Sequence, residues 1–276
     1  MNRECYFNGE FIKLGDIKIN PYDLGFLRGY GVFDVMRTVN GKPFLIKEHW
    51  DRLVNSAKEL NLNISVSEKE FNDIVERLIE NNDLGEMNIR TVLTGGVSDD
   101  AFSLKGEETL LVTVEKLKLP VKDVFKKGAR VITEDYKRFI PRAKISNYIA
   151  AIRRQDKKHR AGAIEIIYID DGNVLEASTS NFFIVKDGEV MTTRKGILLG
   201  TIRNLVIDLA KKNGLSVAER EISVDEMLKA DEAFITATNK GIIPIISIDD
   251  KLIGNGKVGG TTKKLMSIFG EYLKKY

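Results

Sequence analysis

One lysine stands apart from the other lysines of the chain because its neighbours are mostly small or apolar. Lys144 lies in the segment Pro141-Arg-Ala-Lys-Ile-Ser-Asn-Tyr148, whereas many other lysines occur as Lys-Lys pairs. A lysine becomes a useful nucleophile towards an aldehyde when burial or a nearby cation lowers its pKa. If a helix begins near Lys144, Asn147 and Tyr148 share its face, which places a phenol close to whatever Lys144 holds. The competing interpretation is a solvated lysine at a helix N-terminus, so the assignment needs support from the rest of the chain.

That support comes from a carboxylate segment and a helix start further along. The first reads Glu176-Ala-Ser-Thr-Ser-Asn-Phe-Phe183, and the second reads Ile197-Leu-Leu-Gly-Thr-Ile-Arg203. The pattern Glu-x-Ser-x-x-Asn-apolar-aromatic, followed by Gly-x-x-Arg, resembles the signature of the class IV aminotransferases. The resemblance extends from Tyr6 to Gly260. This family includes branched-chain aminotransferases, D-amino-acid aminotransferases and aminodeoxychorismate lyases, which use pyridoxal 5′-phosphate (PLP).

The resemblance implies the fold-type IV architecture of these enzymes. This is an α/β (α+β) protein with a small N-terminal α/β domain and a larger C-terminal pseudo-barrel domain, with PLP between the domains. We therefore expect an N-terminal domain at residues 1–117, an interdomain linker at 118–122 and a PLP-binding domain at 123–276. The resemblance also implies a homodimer in which the loop around Arg28 lies near the site of the partner subunit.

The composition excludes several other classes of protein. With 276 residues, 43% of them hydrophobic, the chain is long enough for one large or two modest domains. Its 43 basic and 40 acidic residues are interspersed, without the concentrated basic surface that nucleic acid binding requires. Cys5 is the single cysteine, which excludes an intramolecular disulfide, and because no charged-then-apolar stretch stands before Tyr6 we expect no leader. No apolar run reaches about 18 residues, so we expect a cytoplasmic protein without a membrane span, and we predict no metal site.

Hydrophobic periodicity and turn residues predict alternating strands and helices. Asn8-Gly9 and Asn40-Gly41 predict tight hairpin turns, and Ser67 with Glu70 predicts a capping box at a helix start. The predicted strands, besides the hairpin at 4–19, cover 32–39, 87–94, 109–115, 129–134, 163–169, 181–185, 189–192, 231–236 and 242–248. The predicted helices cover 48–60, 67–80, 147–159, 201–213, 223–229 and 261–275.

A PLP enzyme needs a lysine, a carboxylate at the pyridine nitrogen, a phosphate site and a donor to the ring 3′-oxygen. Lys144 is our candidate for the lysine, which bonds to the cofactor and moves the α-proton of the substrate. Glu176 fits the carboxylate, because a protonated pyridine ring is the electron sink of this chemistry. Tyr148 fits the donor to the 3′-oxygen.

The predicted phosphate site combines a helix N-terminus with side chains. Gly200-Thr201-Ile202 opens a predicted helix, where free N–H groups and the helix dipole favour an anion. On sequence alone Arg52 would be a surface arginine paired with an acid, but its His-x-x-Arg-Leu context resembles the family's phosphate-binding arginine. Many relatives have threonine where Ile202 stands, so the hydroxyl at this spot is missing here. Thr238 and, more weakly, Ser180 are candidates for further hydroxyl donors.

The chain departs from both main subfamilies at the predicted substrate site. Branched-chain enzymes tend to have Tyr-x-Arg where this chain has Asn88-Ile-Arg90, and D-amino-acid enzymes carry Arg-x-His where Gly95-Gly-Val97 stands. Arg28 replaces an aromatic residue of many relatives. We assign the substrate α-carboxylate to Arg28 and Arg90, because a guanidinium can bind a carboxylate through two hydrogen bonds. The competing interpretation of Arg28 is a salt bridge to Asp23 or Asp34.

The remaining predicted substrate contacts are Phe33, Thr236 and Ala237. Two arginines without a bulky aromatic wall favour a D-amino-acid aminotransferase, with 2-oxoglutarate and glutamate or pyruvate and alanine as the exchanging pair. A branched-chain L-amino-acid aminotransferase and an aminodeoxychorismate lyase remain alternatives, as does a cofactor-free binding protein in which these residues are unrelated. Chirality depends on which face of the bound substrate turns its α-hydrogen towards Lys144, and residue types do not encode that.

Overall fold

The computed structural model describes residues 3–276, which divide into two compact units. The first unit contains the chain up to Lys118, residues 142–147 and Tyr276. The second unit contains Leu119–Pro141 and Tyr148–Lys275. The chain thus leaves the second unit at residue 141, contributes the segment that carries Lys144 to the first unit, and returns at Tyr148.

The first unit is built on an antiparallel sheet. Its strands are β1 (Glu4–Phe7), β2 (Glu10–Lys13), β3 (Gly31–Val39), β4 (Lys42–Pro43), β5 (Met87–Thr94) and β6 (Thr109–Lys116). Its helices are α1 (Leu24–Arg28), α2 (Ile46–Glu59) and α3 (Glu68–Glu80), with a 3-10 turn at Leu14–Asp16. The strand order is β2-β1-β6-β5-β3-β4. Helix α2 packs on β3, and α3 packs on β1 and β6.

The turns and caps of the first unit follow from local sequence. Asn8 and Gly9 have φ angles of 46° and 97°, and Asn40 and Gly41 have 52° and 75°, the positive values that a tight hairpin turn requires. The Ser67 hydroxyl accepts from the N–H of Glu70, whose carboxylate accepts from the N–H of Ser67. The predicted hairpins and the predicted capping box are therefore confirmed.

The second unit holds a mixed sheet with helices around it. Its strands are β7 (Ala129–Asp135), β8 (Glu165–Asp170), β9 (Asn173–Ala177), β10 (Asn181–Lys186), β11 (Glu189–Thr192), β12 (Val217–Glu219), β13 (Glu232–Ala237), β14 (Gly241–Ile248) and β15 (Lys251–Leu252). Its helices are α4 (Lys122–Lys127), α5 (Ile149–Arg153), α6 (Gln155–Arg160), α7 (Thr201–Lys212), α8 (Val224–Leu228) and α9 (Gly260–Lys275). The strand order is β12-β11-β10-β13-β14-β7-β8-β9, with β15 beside β14.

Aliphatic side chains from these strands form the core of the second unit. Val131, Ile167, Ile184 and Ile235 lie on four different strands and are fully buried in one cluster. On β10 and β13 the rings of Phe183 and Phe234 stack with their centroids 4.7 Å apart. The sheets of both units are curled, which gives the mixed α/β architecture predicted from the sequence.

The helix predicted over 147–159 is wrong in its start and in its continuity. Residues 144–146 are extended because the N–H of Phe33 donates to Lys144 O (2.9 Å) and the N–H of Ser146 donates to Gly31 O (2.9 Å). The first helix therefore begins only at Ile149, and Lys144, Asn147 and Tyr148 do not share a helix face. The helix then breaks at Arg154, where the side chains of Arg154 and Gln155 donate to the carbonyls of residues 150 and 151.

Four short elements of the second unit have no counterpart in the sequence prediction. They are α4, β9, β12 and β15. Strand β9 matters most, because it carries Glu176, which the pattern allowed to be a loop residue. Its partner in the sheet is β8, and the pairing is antiparallel.

In the part of the chain that the structure describes, no helix combines the length and apolar character needed to span a bilayer. Nor do residues 3–276 bring three or more His, Cys, Asp or Glu side chains together in a way that could hold a metal ion.

Candidate active site

Lys144 is held by its backbone in the first unit. Its carbonyl accepts from Phe33 at the start of β3, and its N–H donates to the buried hydroxyl of Ser56 on α2 (3.0 Å). The half-buried side chain places Nζ 4.4 Å from the centroid of the Phe33 ring. A strand and a helix therefore fix the lysine's main chain, and an aromatic face lies against its amine.

Arg52 belongs to a buried charge cluster of the same unit. Its Nε and NH2 donate to the two oxygens of Asp34 at 2.7 Å and 2.9 Å, and His49 Nδ1 lies 2.6 Å from Asp34 Oδ1. Burial alone would raise the pKa of Asp34, but the charges of Arg52 and His49 hold it well below its usual value. Burial lowers the pKa of His49. The cluster therefore holds an ionised aspartate against a fixed arginine.

In the second unit, Glu176 on β9 pairs with a buried arginine. Arg138 Nε lies 2.9 Å from Glu176 Oε1, and the two side chains are only 9% and 4% exposed. The same guanidinium donates to Ser178 O (2.8 Å), and its NH1 donates to the Tyr148 hydroxyl at the long distance of 3.5 Å. Its carbon lies 5.2 Å from the centre of the Tyr148 ring. The structure thus brings together the predicted ring-nitrogen carboxylate and the predicted phenol.

Arg138 is a residue that the sequence reasoning missed. Burial acts to lower the pKa of Arg138, but the Glu176 carboxylate beside it raises that pKa above its ordinary value. The guanidinium therefore stays charged beside the buried Glu176 carboxylate. In the sequence, Arg138 stands next to Lys137 in a polar stretch, where nothing distinguishes it from a solvated side chain.

The N-terminus of α7 is the predicted anion site. Gly200 is its N-cap and offers no side-chain hydrogen bond to the first turn, in which N–H groups have no partner within a helix. A Cβ at Gly200 would lie 2.2 Å from Asn181 Oδ1, so only glycine fits this close approach. Thr201 and Ile202, the first two residues of the helix, are both buried.

The other predicted hydroxyls differ in their hydrogen bonds. The Thr236 hydroxyl, at the end of β13, is buried and has no hydrogen-bond partner among residues 3–276. Ala237 and Thr238 follow it and are half-buried. Ser180, by contrast, donates its single proton to Glu165 Oε1 (2.9 Å) and accepts from Lys240 (3.1 Å).

Glu165 is the centre of a second cluster that the sequence reasoning missed. It begins β8 and accepts from the hydroxyls of Ser178, Thr179 and Ser180 and from the ammonium of Lys240. Burial acts to raise the pKa of Glu165, but Lys240 and the hydroxyls lower it to about 2. The signal was present in the sequence, because an acidic residue within the run Ala163-Ile-Glu-Ile-Ile-Tyr168 must be buried and paired.

The two arginines predicted to bind substrate both lie in the first unit. Arg28 is exposed, donates from Nε to Ala101 O (3.2 Å) and lies 4.6 Å from the Phe102 ring. It forms neither of the salt bridges considered above. Arg90 pairs with Glu115 at 3.3 Å on β6, with both side chains more than 40% exposed, and lies 6.0 Å from the Phe33 ring.

Comparison with known proteins identifies the class of enzyme. A profile of the amino-transferase class IV family matches residues 31–248. The chain is 35% identical to a Methanocaldococcus jannaschii protein provisionally named a branched-chain-amino-acid aminotransferase, over 99% of this chain and 97% of that protein. It is 34% identical to a D-alanine aminotransferase of Listeria monocytogenes, over 96% of this chain and 94% of that protein. The solved Escherichia coli branched-chain amino acid aminotransferase superposes with a TM-score of 0.92 at 27% identity, over 99% and 95% of the two chains.

The chain therefore belongs to the class IV aminotransferase family, as the resemblance implied. These enzymes use PLP, and they act on amino acids and keto acids. Another solved branched-chain amino acid aminotransferase, with a TM-score of 0.89, 27% identity and coverage of 99% and 94%, contains pyridoxamine 5′-phosphate. Both main subfamilies are represented among the relatives.

The side chains described above fit a phosphorylated pyridine cofactor. The N-terminus of α7, which Gly200 leaves without a side-chain cap, and the unpartnered hydroxyl of Thr236 offer donors of the kind that a phosphate or a substrate carboxylate would take up. Glu176, which lies beside Arg138, is a carboxylate of the kind that a protonated ring nitrogen would pair with. When bound, the cofactor supplies the electron sink of the reaction.

Proposed function

We propose that the chain is a transaminase that exchanges an amino group between a D-amino acid and a 2-oxo acid. In this proposal Lys144 bonds to the cofactor aldehyde and carries the α-proton, Glu176 holds the proton on the ring nitrogen and Tyr148 donates to the 3′-oxygen. In this proposal the phosphate is bound by Arg52, Thr201, Ile202 and Thr238, whereas Ser180 leaves the predicted set because its hydroxyl proton goes to Glu165. The substrate is bound by Arg28, Phe33, Arg90, Thr236 and Ala237.

One observation carries the substrate part of the proposal. Lys144 Nζ and the Arg90 guanidinium both approach the ring of Phe33, at 4.4 Å and 6.0 Å from its centroid. This shared aromatic neighbour is our reason for proposing that a carboxylate bound to Arg90 lies near the lysine amine. The present partner of Arg90 is the exposed Glu115, and exposed ion pairs contribute only about 0–1 kcal/mol. A substrate carboxylate can therefore compete for Arg90 at little cost.

The role of Lys144 is tested by Lys144→Ala. We expect the variant to fold, because the backbone bonds of residue 144 to Phe33 and Ser56 do not involve its side chain. Turnover should fall by more than about 10³-fold, as it does when an enzyme loses its nucleophile. Steady-state activity within tenfold of the parent protein would refute the assignment.

The substrate class is tested by single-turnover reactions with the two enantiomers of alanine, glutamate and leucine. The readout is conversion of the cofactor from its pyridoxal to its pyridoxamine form, followed by absorbance. We expect a D-enantiomer to react fastest. A faster reaction with L-leucine would favour the branched-chain alternative, for which the M. jannaschii relative and the E. coli structure argue. Pyruvate release from aminodeoxychorismate without formation of pyridoxamine phosphate would indicate the lyase.

Arg90→Gln and Arg77→Gln form a matched pair for the carboxylate assignment. Arg77 resembles Arg90 in its surroundings, since it is also exposed, pairs with a glutamate and lies over a phenylalanine ring, although its partner Glu4 is half-buried. Loss of a charge-assisted hydrogen bond costs about 1.5–3 kcal/mol, so Arg90→Gln should raise KM for the amino acid about 10- to 100-fold. Arg77→Gln should leave KM unchanged. Equal effects of the two substitutions would remove Arg90 from the site, and unchanged rates in Arg28→Ala would remove Arg28.

We also propose a homodimer in which the Arg28 loop lies near the site of the partner subunit. Phe26, two residues before Arg28, and Phe102, whose ring lies against Arg28, are 73% and 77% exposed, which is unusual for side chains of this size. Light scattering should give twice the mass of the chain for the PLP-loaded protein. A monomer at micromolar concentration would contradict this part of the proposal.

A further inference from the structure

Asp34 is the buried acid that pairs with Arg52, and the pair also connects a strand of the first unit to a helix. Asp34 lies on β3 and Arg52 on α2, so the pair joins the strand that contacts Lys144 to the helix that packs on it. The contact is two-pronged, with Nε on one carboxylate oxygen and NH2 on the other. Such a fork fixes the plane of the guanidinium as well as its position.

The fork leaves one end of the guanidinium unused. An arginine has five N–H donors, and Asp34 takes those of the Nε edge. NH1 makes no hydrogen bond to any residue within 3–276, and the Arg52 side chain is 11% exposed against 3% for Asp34. Asp34 is thus the more deeply buried partner, and Arg52, which carries the unused NH1 group, is the more accessible one.

His49 also holds the aspartate, through the oxygen that accepts from Arg52 NH2. Its Nδ1 lies 2.6 Å from Asp34 Oδ1, and because an ionised carboxylate only accepts, Nδ1 must carry the proton. Asp34 Oδ1 therefore accepts from His49 and from Arg52 NH2, while Oδ2 accepts from Arg52 Nε. With both oxygens bonded, the carboxylate has no freedom to rotate away from Arg52.

We propose that Asp34 is a positioning residue for the cofactor phosphate: its carboxylate, held by His49, fixes Arg52 with the NH1 end presented to the phosphate. The inference rests on the proposed role of Arg52. Asp34 contributes orientation and not attraction, because its negative charge opposes that of the phosphate. Its removal therefore weakens phosphate binding even though it makes the cluster more positive.

The test separates the phosphate from the rest of the cofactor. Dissociation constants of pyridoxamine 5′-phosphate and of pyridoxamine are measured on the cofactor-free protein by fluorescence titration. The dissociation constant of pyridoxamine divided by that of pyridoxamine 5′-phosphate reports the phosphate contribution alone. Arg52→Gln should reduce this ratio about 10- to 100-fold, the effect of losing a charge-assisted contact. Asp34→Asn should reduce it about tenfold while leaving the affinity for pyridoxamine unchanged, because an amide cannot accept both prongs of the fork.

The double variant distinguishes positioning from a general structural role. If Asp34 acts only through Arg52, Asp34→Asn combined with Arg52→Gln should lower the ratio no further than Arg52→Gln alone. Asp23→Asn is the matched control. Asp23 is a buried aspartate of the same unit that accepts from the Gly25 N–H and from two threonine hydroxyls. The Asp23→Asn variant should have a lower free energy of unfolding, but its ratio of dissociation constants should equal that of the parent protein.

The outcomes separate this inference from the proposed function. An unchanged ratio in Arg52→Gln would overturn the role of Arg52 and this inference together. A reduced ratio in Arg52→Gln with an unchanged ratio in Asp34→Asn would overturn the role of Asp34 alone. If Asp34→Asn does not fold, Asp34→Glu takes its place, since one extra methylene displaces the fork. Its ratio should lie between those of the parent and Arg52→Gln, and a parental ratio would overturn the inference.

Discussion

Two buried glutamates of the second unit, Glu165 and Glu176, lie on neighbouring strands and have opposite surroundings. Glu165 accepts from three hydroxyls of residues 178–180 and from Lys240. Glu176 is balanced by Arg138, and its hydrogen bonds from Asn181 and from the Leu198 N–H are long, at 3.4 Å and 3.3 Å. A carboxylate that accepts from three hydroxyls and an ammonium is committed to the fold, whereas we expect one that is paired with a guanidinium to be available to the reaction.

The largest expected difference between the two glutamates is in turnover. Glu176→Gln should lower kcat about 10²- to 10³-fold, because the proposed electrostatic partner of the ring nitrogen becomes neutral. Glu165→Gln should change kcat less than tenfold. Both rates are measured by single turnover at saturating cofactor. Equal losses of kcat in the two variants would contradict the proposed difference in role between Glu165 and Glu176.

Arg138 provides the corresponding test of stability. Arg138→Met leaves the Glu176 charge buried without its cation, which costs about 3–5 kcal/mol of unfolding free energy. Arg154→Met is the control, since Arg154 also pairs with a glutamate and lies near a tyrosine ring but is 26% exposed. We expect no more than about 1 kcal/mol there. Urea unfolding of the cofactor-free proteins gives both values, and a cost below that of the control would contradict the buried pairing.

The pH dependence of stability should reveal Glu165. Its pKa is lowered to about 2 in the folded protein from an ordinary value of 4.5. A lowered pKa means that the ionised group stabilises the fold above pH 4.5 and that this contribution disappears as the pH falls towards 2. The difference in unfolding free energy between the parent and Glu165→Gln should therefore be constant above about pH 5 and shrink below it. A difference that stays the same down to pH 3 would show that Glu165 is not held ionised.

The smallest expected effect comes from a single hydroxyl of the Glu165 cluster. Ser178→Ala should cost about 1–2 kcal/mol, because a hydrogen bond to a charged group is lost while two hydroxyls and Lys240 remain. Thermal unfolding measures this, with kcat expected to stay at the parental value. A kcat that falls with stability would mean that the cluster also positions the reacting groups.

Much of the fold could be predicted from sequence because its signals are local. The hairpin turns need only Asn-Gly pairs, the start of α3 needs only Ser67 and Glu70, and β10 and β13 are continuous apolar runs. The helix predicted over 147–159 failed for a non-local reason. The residues just before it, 144–146, pair with the start of β3 more than a hundred positions earlier, and no local pattern encodes that partner.

Prediction of the candidate site was limited in the same way, because contacts between residues distant in sequence leave no local pattern. Lys144, Arg52 and Glu176 could be singled out because their neighbours carry family motifs. Arg138 could not, because its role depends on a carboxylate on β9 that is distant in sequence and on its own burial. Glu165 could have been found by a physical argument, since an acid within an apolar strand requires partners. Its lysine partner, 75 positions away, could not.

Residues 142–147 belong to the first unit, although the chain before and after them belongs to the second. This arrangement limits how the protein can be divided into two separately expressed fragments. A fragment ending at Lys118 would lack the segment whose backbone bonds to Gly31 and Phe33, so the free edge of β3 would be open to pairing with another chain. A fragment starting at Leu119 would carry Lys144 without the strand and the helix that fix its main chain. Split versions of this protein should therefore recover function only when both fragments are co-expressed.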